Sequence, residues 1–414
     1  MNVHVPAYWK AIKYQLNDPL YKNSIFMFVA KALLAAGGFI FWMLAARLYS
    51  VEEVGVAVAL ISSVSVINML SLLGFENSVI RFFSLHDTNK IINTSMMIVA
   101  VSSFAIGVAY CISMVFIPSN LSLIGNPAYL LVYIAFVVVS SVIMITGNAF
   151  IAMRKTGYYL VQNAITASRI VLLVPLMFIG SFGIITATLI SALLGLVFAT
   201  YILSKFVKID FRVDREFIDR SFRFSSGNYF STLFYEVPYY LLPLLVLHML
   251  GEADAAKYYI AFSIGSLLLQ LNNTVGTSLF VEGSNGEGMR KNVIKSAVAI
   301  YAVMVPAFVA IFFFGSSLLG LYGGRYAEAL DLLKLVGISA FFQVIYILFI
   351  TVKRVSMGIR SIVLLNLLQF VLAMALSYAL IPIFGVNGVG YALIGTFVVL
   401  DLIVLGIVKK EGWI

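Results

Sequence analysis

Twelve apolar runs, each about 20 residues or longer and separated by short polar breaks, fill almost the whole of this 414-residue chain. As a helix, a run of that length matches the hydrocarbon thickness of a bilayer. In hydrocarbon a lone segment can satisfy its backbone N–H and C=O groups only within its own helix. The runs centre near residues 36, 66, 103, 140, 168, 193, 236, 268, 303, 339, 368 and 397. With 62% hydrophobic and 11% charged residues, no polar stretch is long enough for a separate soluble domain. The pattern predicts an all-α polytopic membrane protein with twelve transmembrane helices. The first run follows the polar, aromatic segment PAYWKAIKYQLNDPLYKNS and lacks a small-residue cleavage site. It is expected to stay in place, with the opening segment as an interfacial helix.

Charge orients the spans. With the N-terminus taken as cytoplasmic, twenty-one of the 27 Lys and Arg residues fall on the cytoplasmic side. Arg47, Lys257 and Arg325 fall outside, and Lys31, Arg169 and Lys334 lie within spans. A bias of this size predicts a multi-pass protein of the cell membrane with both termini inside. It also accounts for the net charge of +9 without a nucleic-acid partner, because basic residues follow the positive-inside rule and attract anionic membrane lipids.

The longest hydrophilic stretch, KFVKIDFRVDREFIDRSFR at 205 to 223, divides the chain nearly in half. The expected organisation is an N-terminal lobe over 1–204 (interfacial helix and spans one to six), a cytoplasmic linker over 205–221 and a C-terminal lobe over 222–414. An offset of about 201 to 205 residues brings out self-similarity. GSFGIITATLISALLG at 180 is echoed by GVNGVGYALIGTFVVL at 385, and RLYSVEEVGVAVAL at 47 by HMLGEADAAKYYIA at 248. Six spans per half give two parallel repeats, the pattern of transporters whose lobes surround a central cavity. Chance similarity of apolar segments is the alternative. A single cysteine, Cys111, excludes an internal disulfide, and three histidines without ligand spacing argue against a metal or haem centre. No cofactor is expected.

Several segments at helix boundaries carry a resemblance: ARLYSVEEVG at 46, GFENSVIRF at 74, AAKYYIAFSI at 255, LYGGRYAEALDLLKLVG at 321 and the G-x-x-G turn before the twelfth span. In this order they resemble the polysaccharide exporter branch of the multidrug, oligosaccharidyl-lipid and polysaccharide (MOP) superfamily, MATE-like transporters that include O-antigen flippases. The resemblance implies two six-helix lobes, alternating access and translocation of a lipid-linked oligosaccharide on a polyprenyl phosphate or pyrophosphate. It implies glycan-assembly proteins as partners, and a monomer is expected. Two departures matter. The first span offers Lys31 where cation-coupled drug exporters are associated with an acidic residue, and there is no room for the two extra helices usual in lipid II flippases.

A phosphate crossing a low-dielectric bundle needs fixed cations along its path. Lys31 lies at headgroup-accessible depth in a span where an unsupported cation costs about 2.5–3.5 kcal/mol. It reads as an anion contact or as half of an ion pair with Glu76. Arg169 falls near the midplane of the fifth span, where its planar fork suits phosphate oxygens, or as partner to Glu236 in a lobe-to-lobe gate. Lys334 either lines the path, snorkels or pairs with Asp331. Arg81 reads as a substrate contact or an interfacial anchor. Asp401 reads as a local pair with Lys409, a packing group or a proton carrier. Pro238 and Pro243 in EVPYYLLPLL are expected to bend the seventh span, and Pro175 the fifth. Gln162, Asn163, Asn228, Asn272, Asn273, Asn366 and Gln369 would bond sugar hydroxyls or act as glue between helices. The rival readings are a drug exporter and a membrane glycosyltransferase, polymerase or ligase. The enzyme is disfavoured, because the outer loops are short, and the adjacent acids of the first (Glu52, Glu53) and fourth (Glu252, Asp254) read as turn caps rather than a catalytic constellation.

Overall fold

The computed structural model describes residues 19–83, 87–116, 126–210, 212–284 and 289–410. The interfacial helix expected before residue 19 lies outside them, although its last residues, from Pro19, already belong to the first long helix. The order is α1 (Pro19–Leu48), α2 (Val51–Leu72), α3 (Phe75–Phe82), α4 (Thr88–Phe116), α5 (Pro127–Ala152), α6 (Thr156–Ala167), α7 (Arg169–Leu172) and α8 (Ser181–Leu203). The second half continues with α9 (Arg215–Leu250), α10 (Glu252–Ser284), α11 (Met289–Gly320), α12 (Leu330–Val355), α13 (Ile359–Phe384) and α14 (Asn387–Lys410).

Among the described residues, ten helices are long and apolar enough to cross a membrane. The protein is therefore an all-helical, multi-pass membrane protein. The two expected spans outside that set differ for physical reasons. Near residue 268 the chain forms a helix of 33 residues, α10, but Gln270, Asn272 and Asn273 make its middle polar. Near residue 168 the helix is broken. α6 ends at Ala167, four residues of α7 follow, and a 3-10 turn at Met177–Ile179 leads to Gly180. Pro175 lies inside this break, where its missing N–H and bulky ring prevent a helix from continuing. In contrast, α9 remains helical through both Pro238 and Pro243.

The backbone repeats where the sequence repeats. Gly180 has φ 62 and ψ −142, and Gly385, 205 residues later, has φ 58 and ψ −141. Each precedes a helix of the echoed sequence, in a conformation open mainly to glycine. A second pair lacks glycine. Arg154 (φ 57) and Met357 (φ 55) both adopt the left-handed conformation just past a helix end. The Lys155 N–H bonds the Phe150 carbonyl at 2.9 Å, and the Gly358 N–H bonds that of Lys353 at 2.8 Å. This is the same six-residue closure of a helix C-terminus in both halves.

The chain forms two compact units. One holds α1 to Leu44, the end of α2 from Leu70, and the chain through α8 to the start of α9 at Ser225. The other holds Ala45–Met69 together with everything from Ser226. The turn between α1 and α2, although early in sequence, thus packs with the later helices. Ser50 and Glu53 close that turn as a capping box, the Ser50 N–H donating to Glu53 Oε2 (2.8 Å) and the Glu53 N–H to Ser50 Oγ (3.1 Å). Two residues on, Gly55 lies against the start of α10. A Cβ there would overlap the backbone carbonyl of Glu252.

The linker is docked within the first unit. Asn93 Nδ2 donates to the Lys208 carbonyl (2.8 Å) and its Oδ1 accepts from Asp210 N–H (3.0 Å), while Asn89 Oδ1 accepts from Lys208 N–H (2.8 Å). Asp214 caps α9 by accepting from Phe217 N–H (2.9 Å) and pairs with Lys90 at 2.9 Å. The Phe217 N–H, and then the Lys90 ammonium, hold the Asp214 carboxyl below the usual carboxylate range. Alongside, Phe217 meets the rings of Phe75 (5.9 Å) and Phe82 (6.1 Å) on α3. The 205–223 stretch is a strap fixed to α3 and α4.

Two outcomes follow. Gly55→Ala is expected to cost about 1–3 kcal/mol and lower the thermal midpoint of detergent-solubilised protein, whereas Gly38→Ala, at a position open within 4 Å, leaves it unchanged or raises it. Equal responses would refute the close approach of α2 to α10. Asp214→Ala should cost about 0.5–2 kcal/mol in capping and speed amide hydrogen exchange in the strap at neutral pH. In the unmutated protein, Asp214's contribution is fully present above the unfolded carboxylate pKa near ~4 and is lost as pH falls through its depressed folded value. Unchanged exchange in the variant would show that the cap does not hold the strap.

Candidate functional site

α1 carries the first candidate cation and the platform for the second. Lys31 is exposed, whereas Phe41 is fully buried. Ten residues separate them, about 15 Å along a helix. The Arg169 guanidinium stacks over the Phe41 ring, its Cζ 4.1 Å from the ring centre, a contact worth about 0.5–2 kcal/mol. Arg169 opens α7, one residue past the end of α6, and Ser168 between them keeps right-handed dihedrals (φ −65, ψ −7). Within the first unit, two cations are therefore set at two levels beside one helix. Among the described residues no ion pair joins Lys31 to Glu76.

Glu76 and Arg81 are not on the second span, where the sequence places them. Leu73 (φ 50) and Gly74 (φ 83) end α2, and both residues belong to α3. Phe75, Ser78 and Val79 form its buried face, while Arg81 is exposed. Glu76 Oε1 accepts from the Asn77 side chain at 3.2 Å, and Oε2 is buried without a hydrogen-bond partner.

The second unit holds Glu236, Lys334 and Asp401. Glu236 is half-buried on α9 next to Tyr235, which anchors a polar network. Tyr235 Oη accepts from Asn273 Nδ2 (2.8 Å) and Gln343 Nε2 (3.2 Å), and Asn272 Nδ2 donates to Gln343 Oε1 (2.9 Å). Nearby, the Tyr346 hydroxyl bonds Asn366, whose Nδ2 donates to the Ser231 carbonyl at 2.8 Å. A small polar cavity of about 20 Å³ opens here, lined by Tyr235, Asn273, Tyr346, Asn366 and Arg354. Asn272, Asn366 and Gln369 are buried and tie helices together, as Gln162 does in the first unit by donating to the Ile143 carbonyl at 2.9 Å. Asn228 is exposed. The tyrosines are the part of this network that sequence reasoning missed, their cue being the YEVPYY run beside Glu236.

Lys334 lies over the Phe312 ring, 4.7 Å from its centre. Among the described residues neither Lys334–Asp331 nor Asp401–Lys409 forms an ion pair. Asp401 is 6% exposed and its Oδ1 has no hydrogen-bond partner.

The three basic residues that the charge bias leaves outside converge in the second unit. Arg325 pairs with Glu52 at 3.0 Å, and Lys257 reaches Glu328 at 2.6 Å and Asp254 at 3.5 Å. Arg47 Nε donates to the Leu321 carbonyl at 2.8 Å. This cluster ties the α1–α2 turn to the turn before α12, and no local spacing announces it.

The fold is that of membrane transporters of the MOP superfamily. An inward-facing multidrug resistance MATE family transporter matches with TM-score 0.67 and 15% identity over 92% of this chain and 98% of that one. An outward-facing multidrug resistance MATE family transporter matches with TM-score 0.62 and 13% identity over 95% of both chains. A MOP superfamily transporter from Pyrococcus furiosus, described as having a binding pocket of reverse polarity, matches with TM-score 0.59 and 13% identity over 95% of both. No curated protein matches by sequence. The polysaccharide biosynthesis protein family model matches residues 20–280, well over half of the chain, and the chain belongs to that family. The chain thus joins a polysaccharide biosynthesis family to a fold shared with solved transporters.

Proposed function

We propose that this protein is a flippase that carries an oligosaccharide linked to polyprenyl phosphate or pyrophosphate from the cytoplasmic to the outer leaflet of the cell membrane. The reading rests on one observation above all: a polysaccharide-biosynthesis family match on a MOP transporter fold. Two six-helix lobes rearrange to give alternating access, with both termini in the cytoplasm. The protein acts as a monomer alongside glycan-assembly proteins.

The anionic headgroup is the part of such a substrate that hydrocarbon rejects most strongly, so fixed cations are what transport requires. Lys31 takes the phosphate at headgroup depth, and Arg169, held by its stack on Phe41, takes it about 15 Å further along α1. Arg81 and Lys334 provide flanking contacts. Glu76, Glu236 and Asp401 act in gating, where a buried carboxylate gains a partner in one conformation and loses it in another. The multidrug function printed for the structural relatives belongs to those proteins, and at these identities their likeness supports the fold alone.

Lys31→Ala and Arg169→Ala should each slow translocation roughly tenfold or more, since a hydrogen bond to a charged group contributes about 1.5–3 kcal/mol. Both variants should reach the membrane at normal levels. The assay places purified protein in liposomes and follows lipid-linked glycan between leaflets while its mass is monitored. Full export with both cations neutralised would remove the anion site, and a change in glycan mass would assign an enzyme.

A further inference from the structure

A concave apolar groove runs along the second unit between α11, α12 and α14, with a volume of about 480 Å³. Val293, Ile294, Ala297 and Val298 form one wall, with Leu348, Phe349, Val404 and Leu405 opposite. Among the described residues, its only charged lining residues, Arg290 and Lys353, stand at one end. α11 starts beside Arg290 while α12 and α14 finish near Lys353 and Val408, so this single end gathers the cations, with Lys409 and Lys410 immediately beyond. From Arg290 to Tyr301 the groove extends eleven residues along α11, about 16 Å. One leaflet of a hydrocarbon core about 30 Å thick has about that depth.

Exposed apolar side chains are ordinary on membrane-spanning helices, but a recess one leaflet deep with charge at a single end is not implied by exposure. We infer that this groove is a binding site for an anionic phospholipid, its phosphate held by Arg290 and Lys353 and one acyl chain lying between α11, α12 and α14. Basic pockets between transmembrane helices recognise lipid headgroups in this way, with each Lys or Arg near the surface strengthening binding severalfold. The match to one leaflet favours an acyl chain over a far longer polyprenyl chain. The site is separate from Lys31 and Arg169. It rests on neither of them, and its orientation toward the cytoplasmic leaflet follows the charge bias.

The test measures lipid retained by the purified protein in native mass spectrometry, titrating dioleoyl phosphatidylglycerol against dioleoyl phosphatidylcholine. Phosphatidylglycerol should be retained preferentially. Arg290→Gln with Lys353→Gln should weaken that retention roughly twentyfold or more, and Arg290→Lys with Lys353→Arg should restore most of it. Ala297→Trp, which fills the groove and leaves both cations, should also displace the lipid. Equal retention of the two lipids, or retention unaffected by both the charge and the filling variants, would overturn the site. Preferential retention of undecaprenyl phosphate with the same residue dependence would also overturn it, assigning the groove to the carried substrate instead. The liposome translocation assay, read on the same variants, fails or succeeds independently of these outcomes.

Discussion

In hydrocarbon an unsatisfied backbone N–H or C=O costs several kcal/mol, and this penalty governs where the chain departs from helix. Among the described residues the departures fall mainly at turns between long helices, with two notable breaks. One, from Ser168 to Gly180, places Arg169 on Phe41. The other, at Leu73–Gly74, detaches α3 with Glu76 and Arg81. Three of the seven charged side chains singled out for function, Arg169, Glu76 and Arg81, lie on the elements these irregularities shape. Irregular backbone at membrane depth persists only where protein or a wet cavity receives it. Breaks and charges are therefore two expressions of one requirement.

Charge is used in two ways. The basic majority on the side assigned to the cytoplasm is dispersed, partly in the strap from 205 to 223 and partly beside the groove at Arg290 and Lys353. Arg325, Lys257 and Arg47 are all engaged, with Glu52, with Glu328 and Asp254, and with the Leu321 carbonyl respectively. An exposed ion pair such as Arg325–Glu52 is weak because water and salt screen it. The Arg325 and Arg47 contacts give specificity of association, since they join the α1–α2 turn to the turn before α12, more than 200 residues later, and weak contacts of this kind can be broken and remade during a transport cycle.

Much of the architecture was legible beforehand. Apolar runs marked the helices because hydropathy over twenty residues is a property of the run itself. The offset repeat was visible because Gly180 and Gly385 occupy the same demanding conformation. The site was less legible. Lys31, Arg169 and Lys334 stood out as charges in apolar surroundings, but Arg169 and Lys334 meet aromatic rings, which the composition of a membrane helix supplies everywhere. Phe41 and Phe312 could not be selected from so many candidates. Equally, the expected Lys31–Glu76 pair assumed an unbroken second span, and Leu73, adopting a positive φ without being glycine, carries no sign of the break.

By itself the sequence determined that this chain lives in a membrane, which ends of its helices are basic and which few charges need an explanation. These depend on local composition and spacing, and lipid enforces them segment by segment. Only the tertiary structure decided that the α1–α2 turn packs with the second half, that the polar linker is a strap bonded to α4, that Tyr235 organises the buried amides, and that three helices enclose a groove charged at one end. Each of those depends on residues far apart in the chain meeting at distances of a few ångströms, and no pattern along a single helix encodes which neighbour it will have.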